Sequence, residues 1–184
     1  ATEAATESAT EAATTETASN SDTPLVIAHD DVSEKFSPFF GESVPDEDVW
    51  LLTTVTLLDV DRQGEIVYNG IEGETRSYNG TDYTYTGMAD CVVTENADGT
   101  VDYDFTIRDD VKFTDGEPLT ASDVAFTFNT CRDESSVNDF TMLKEAVAVD
   151  DTTVEFHMNE PYSIWPYTMA IVGIVPEHAY DENY

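Results

Sequence analysis

Residues 109–128, DDVKFTDGEPLTASDVAFTF, confine the chain to few local structures. Val111 and Phe113 close a strand. TDGEP then turns the chain, with Gly116 free to take a positive φ and Pro118 unable to donate to a sheet ladder. Thr120 and Asp123 have the spacing of a capping box, so a helix starts at Ala121. Its apolar stripe is Ala121, Val124, Ala125, Phe128 and Cys131. The unit is strand, turn and capped helix, and none of its residues is chemically reactive.

The sequence before it is built from hairpins. Asn79-Gly80 and Asp98-Gly99 are two-residue turn signals. After the second, Val101, Tyr103, Phe105 and Ile107 alternate with Asp102, Asp104, Thr106 and Arg108, a strand with one wet face. A two-residue loop there would set Val92 opposite Phe105 and Thr94 opposite Tyr103, with Cys91 on the other face. AVAVDDTTVEFHM predicts a further hairpin with Val154, Phe156 and Met158 on one face. Leu25 to Ala28 reads as a buried strand. VWLLTTVTLL (49–58) leaves helix and strand open, and the acids at Asp46 to Asp48 favour a helix beginning after them. Ala170 to Val175 is an apolar segment with no later sequence to pair with.

Residues 1–22 are Ala, Thr and Glu with no large apolar side chain, the composition of a disordered acidic linker. The formal net charge of -32 over 184 residues argues against nucleic acid and anionic lipid as partners. No apolar run is long enough to cross a bilayer, and no signal peptide is seen.

Little in the chain carries chemistry. His29, His157 and His178 are scattered without zinc-ligand spacing. Asp59, Asp61, Gly64 and Ile66 follow the start of a calcium loop, but Gln63 and Gly70 stand at its fifth and twelfth positions, and a polar hairpin turn is the simpler reading. No nucleophile elbow, Walker loop or dinucleotide fingerprint is present, so neither catalysis, a metal nor a cofactor has support. Cys91 and Cys131 read as small buried thiols, a bridge requiring the helix to cover the face that Cys91 occupies. Phe39-Phe40 and Tyr162 with Trp165 lie beside prolines in loops and are candidates for a cleft wall.

FTIRDDVKFTDGEPLTASDVAF (105–126) resembles the signature region of the extracellular solute-binding proteins of peptide and nickel ABC transporters. TPLVIAHDDVSEKFSPFF, MADCVVTENADGTVDYDF, AVAVDDTTVEFHMNEP and GIVPEHAY resemble further pieces of the family in its order, across residues 24–180. The stretch from Asn69 to Gly87 has no counterpart and reads as an insertion, and the tryptophan expected near Cys91 is missing.

The resemblance implies an α+β, periplasmic-binding-protein-like II fold, mostly an inserted β-rich domain of mixed and antiparallel strands with a few helices. It places residues 23–45 in the first strand and loop of lobe I, 46–168 in the inserted domain and 169–184 back in lobe I. Because family members are longer, an N-terminal fragment is expected, with the second lobe lying beyond residue 184. It implies no enzyme. The function expected is the substrate-binding component of an importer, taking peptides or a similar small solute and meeting ABC permease subunits. Contact with ligand falls on Phe40, Glu42, Ser43, Val44 and Pro45, by backbone pairing to an extended peptide with Glu42 available to a cationic group. Tyr162 and Trp165 would complete the wall. The alternative for Ser43 is a plain helix N-cap. The linker suits a lipoprotein tethered outside a Gram-positive membrane, or a periplasmic location, with any membrane contact made through a lipid anchor. The alternative function is an extracellular adhesion or carbohydrate-active β-rich module.

Overall fold

The structure is a computed structural model that describes residues 26, 28–41, 43–135 and 138–180. The linker expected over 1–22, together with Leu25, Ile27 and Glu42, lies outside the described residues. Of the strand expected at Leu25 to Ala28, Val26 and Ala28 are described; they lie in no strand and are exposed.

Helix α1 spans Val44–Leu51. It begins and ends earlier than the apolar run suggests. Ser43 is its N-cap, accepting from the Asp46 amide, and Pro45 lies in the first turn, where its missing N–H costs nothing. Asp46 and Glu47 are therefore inside the helix. Past Leu51, the Trp50 carbonyl accepts from the hydroxyls of Thr53 and Thr54 at 3.1 and 2.7 Å as well as from both their amides, local side-chain bonding that competes with a continuing helix.

Two small hairpins follow. Strands β1 (Asp59–Val60) and β2 (Ile66–Val67) pair across a turn, and β3 (Glu74–Tyr78) pairs with β4 (Thr81–Tyr85). The β3–β4 link is the expected two-residue turn, with Asn79 at φ 50° and Gly80 at φ 80°. The stretch read from sequence as an insertion, 69–87, holds a hairpin of its own. Its base is pinched where the Gly87 amide bonds Gly70 and the Gly70 amide bonds Ala89.

The main sheet is antiparallel with order β5-β6-β8-β7, from β5 (Ala89–Glu95), β6 (Val101–Ile107), β7 (Leu143–Ala148) and β8 (Thr153–Met158). Helix α2 (Ala121–Glu134) lies across β7 and β8. Phe105, Phe128 and Phe156 meet edge to face beneath it, with centroids 4.9 Å apart for Phe128 and Phe156. Val154, Phe156 and Met158 share the buried face as expected.

The β5–β6 register differs from expectation by one residue. The Asn96 amide bonds the Thr100 carbonyl, so the loop is Ala97, Asp98 and Gly99, with Gly99 at φ 90°. Phe105 therefore faces Cys91, not Val92, and Thr94 faces Asp102. A slip of one residue exchanges the faces. Cys91 and Cys131 are both buried in the core as free thiols, while Val92 is exposed.

Helix α3 (Trp165–Met169) leads into the apolar segment 170–175, which does find partners. Val172, Ile174 and Val175 are buried, Ile174 donates to Val55 and Val175 donates to the Thr127 hydroxyl. The loop after α1 and the face of α2 supply what no later sequence was needed to supply.

Candidate functional site

Ser43, Val44 and Pro45 stand at the start of α1, and the chain approaching them is anchored by one carboxylate. Asp46 is fully buried. Its oxygens accept from the Ser33 amide (3.0 Å), the Glu34 amide (3.2 Å), the Ser33 hydroxyl (2.5 Å) and the Ser43 hydroxyl. Burial pushes its acidity toward the neutral form, but those bonds outweigh burial and hold it below the usual carboxylate value. Glu34, which donates one of these bonds, has a positive φ of 65°.

The joined strap and helix enclose an open apolar groove of about 490 Å³ lined by His29, Val32, Pro45, Asp48, Val49, Leu51 and Leu52. His29 Nε2 lies 2.8 Å from Asp48 Oδ2 at its rim. Of the residues expected to touch ligand, Pro45 lines this groove and Val44 is exposed beside it. Phe40 is partly exposed and meets Phe39 edge to face, Ser43 caps the helix, and Glu42 is not among the described residues. Asp46, His29 and Asp48 were not singled out from sequence. Asp46 had a usable signal, because Ser43 and Asp46 repeat the Ser/Thr-x-x-acid spacing of Thr120 and Asp123.

Tyr162 and Trp165 sit elsewhere. Trp165 is fully buried against Phe128, Phe140 and Phe156, and its Nε1 has no hydrogen-bond partner among the described residues. As described it is core, and Tyr162 packs partly buried on the same cluster.

The TDGEPLTASD stretch proves to be a clamp. The Asp123 carboxylate accepts from Thr120 (amide 2.8 Å, hydroxyl 3.0 Å) and from the Glu177 amide (2.9 Å). Ser122 donates to the Glu177 carboxylate, and His178 Nε2 lies 2.7 Å from Asp115 Oδ2. That contact raises the His178 pKa and lowers that of Asp115. The Gly116 turn, with φ 98°, carries Asp115 to its partner.

The Asp59–Ile66 stretch is a hairpin turn. Asp61 accepts from the Gln63 and Glu65 amides and pairs with Arg76 at 2.9 Å, and the Arg76 bond holds its pKa down. Among the described residues no cluster of His, Cys, Asp and Glu could hold a metal ion, and no helix is long and apolar enough to cross a membrane.

The profile of "Bacterial extracellular solute-binding proteins, family 5 Middle" matches residues 84–184. Protein XP55 of Streptomyces lividans is 42% identical over 79 residues, which is 40% of this chain and 14% of that protein. The probable D,D-dipeptide-binding periplasmic protein DdpA of Escherichia coli is 30% identical over 95 residues, 47% of this chain and 18% of that protein. Among solved structures, the oligopeptide-binding protein AppA of Bacillus subtilis, in complex with a nonapeptide, superposes with a TM-score of 0.60 at 21% identity, covering 78% of this chain and 26% of that one. NikA of Brucella suis, in complex with Fe(III)-EDTA, gives 0.62 at 15% identity, covering 82% and 28%. The fold is thus the α+β, periplasmic-binding-protein-like one, and the chain spans less than a third of the length of these relatives. With the profile match covering more than half of its residues, this chain belongs to the bacterial extracellular solute-binding proteins of family 5.

Proposed function

We propose that the chain is part of the solute-binding component of an ABC importer, one that captures a peptide or similar small solute outside the cell and hands it to permease subunits without chemical change. The family match over residues 84–184 carries the reading. The architecture supports it: the signature stretch is spent on holding Val175 to His178 against α2, which leaves binding to other surfaces. An adhesion or carbohydrate-active module is not favoured by the family match.

In this reading 23–45 belongs to lobe I, 46–168 is the inserted domain and 169–184 returns to lobe I. Phe40 and Glu42 to Pro45 form one edge of the cleft, where an extended peptide pairs with the backbone. Tyr162 and Trp165 belong to the core cluster and not to this edge. A cationic group on the solute meets Glu42. The protein works outside the cytoplasm, as a tethered lipoprotein or in a periplasm. The -32 charge suits cationic solutes.

Isothermal titration with a lysine-containing tetrapeptide and its neutral counterpart tests this. Glu42→Gln is expected to weaken the cationic peptide about tenfold and leave the neutral one unchanged. Equal loss for both, or none for either, removes Glu42 from the site. A full-length protein that carries no peptide or other small solute by mass spectrometry, and binds neither probe, removes the transport reading.

A further inference from the structure

The chain from Ala28 to Gly41 forms no strand or helix among its described residues, yet it frames the residues proposed to meet solute. Its densest set of hydrogen bonds converges on one side chain, Asp46. Two consecutive amides, of Ser33 and Glu34, point at its carboxylate together with the hydroxyls of Ser33 and Ser43. Consecutive amides that converge in this way form an anion-binding concavity, here filled from within the chain. Glu34 beside it holds φ 65°, a conformation that a non-glycine residue keeps only when its surroundings fix it. The carboxylate therefore ties the strap to the first turn of the helix that Ser43 begins.

We propose that Asp46 is the positioning residue of the solute-contacting loop: by holding Ser33 and Glu34 against the start of α1, it sets where Ser43, Val44 and Pro45 sit. This rests on the binding reading for the role of that loop, but the clamp itself is testable without solute. Ser43 is shared between the two, as the N-cap of α1 and as a donor to Asp46, so loss of the carboxylate reaches the loop directly. The other wall of the groove, His29 and Val32, is carried by the same strap.

The charged groups along the strap and helix, Asp46 aside, are His29, Asp30, Asp31, Glu34, Lys35, Glu47 and Asp48. His29 is engaged with Asp48. None of these replaces the amide and hydroxyl donors that Asp46 receives.

The test is amide hydrogen exchange on the 184-residue chain, comparing wild type, Asp46→Asn and Glu47→Gln. Asp46→Asn is expected to lose about tenfold to a hundredfold in protection at Ser33 and Glu34, the range for hydrogen bonds to a charged acceptor, while the β5-β6-β8-β7 sheet keeps its protection. Glu47→Gln makes the same charge change one residue along α1, so it controls for the helix dipole and is expected to leave Ser33 and Glu34 unchanged. Should Asp46→Asn fail to fold, the wild type decides: protection at Ser33 and Glu34 should vanish on acidification while the sheet remains protected. Unchanged protection in Asp46→Asn, loss shared equally by the sheet, or strap and sheet opening at the same pH overturns the proposal. Titration of the same variants with the lysine-containing tetrapeptide is a separate arm. If the wild type does not bind it, the binding reading fails and the clamp result stands by itself.

Discussion

One carboxylate, that of Asp123, bonds the amide of Thr120 three residues before it and the amide of Glu177 far along the chain. It starts α2 and fixes the chain that leaves the apolar segment 170–175. Removing it leaves two amides to find water at a site where Asp123 is almost wholly buried. Asp123→Ala is expected to destabilise by about 2–4 kcal/mol, the loss of the bonds from two amides and the Thr120 hydroxyl. Thr120→Ala should cost about 1 kcal/mol, because the amide bond to Asp123 survives it. Urea denaturation of both variants checks the order. Equal costs would mean the Glu177 bond contributes nothing.

The His178–Asp115 contact predicts a pH dependence with opposite signs on its two sides. The His178 pKa is raised in the folded chain, so its contribution is complete below the ordinary histidine value and disappears as pH rises through the raised one. The Asp115 pKa is lowered, so its contribution is present above the ordinary carboxylate value and is lost as pH falls through the lowered one. The contact therefore acts in the window between. His178→Gln should flatten the loss of stability as pH rises above the ordinary histidine value and leave the acid limb to the remaining carboxylates. Denaturation midpoints across that range read it directly, and a wild-type profile that the variant reproduces would show the pair contributes nothing.

Gly173 passes so close to the end of α1 that a side chain has no room. A Cβ there would lie 2.1 Å from Thr54 Oγ1 and 2.7 Å from Trp50 Cζ3. Thr54 cannot yield freely, because its hydroxyl is bonded to the Trp50 carbonyl. Gly173→Ala is expected to cost about 3 kcal/mol or more, the upper end for overpacking. Thermal unfolding measures it. A cost below about 1 kcal/mol would mean the segment 170–175 moves independently of α1.

What the sequence revealed divides along physical lines. The Asn79-Gly80 turn, the face shared by Val154, Phe156 and Met158, and the start of α2 at Thr120 were legible, because each is set by residues next to one another. The β5–β6 register was not. Asp98-Gly99 permits both a two-residue and a three-residue loop, and the Asn96–Thr100 pairing that decides between them lies outside the dipeptide. The exposure of Trp165 was misjudged because proline neighbours mark a loop without saying what packs on it. Burial of the segment 170–175 was missed for a similar reason, since its partners, Val55 and Thr127, come much earlier in the chain. Ser43 as a helix N-cap was legible, but the strap packed on that helix start was not, because Asp46 holds it across a loop that no periodicity reports.

The register finding carries the last prediction. With Cys91 facing Phe105, both cysteines lie in one core, 7% and 1% exposed. Burial pushes each thiol up to about 12, with the charge of Asp104 adding to the effect at Cys91. At pH 8 only about one thiol in ten thousand would then be ionised, and the thiolate is the species that reacts. Shielding slows the reaction further. Alkylation by iodoacetamide should therefore proceed only through opening of the fold, and its rate should follow the opening equilibrium as urea is added. Cys91 lies on β5, the edge strand of the sheet, and Cys131 lies on α2 in the interior. Cys91 is expected to label first, through fraying of that edge, and Cys131 only with global unfolding. Had Cys91 pointed away from Phe105, it would label in the native state at a rate set by its exposure and independent of urea. Mass spectrometry of time-resolved labelling separates the two outcomes, and a fast, urea-independent Cys91 would return the register to the two-residue loop.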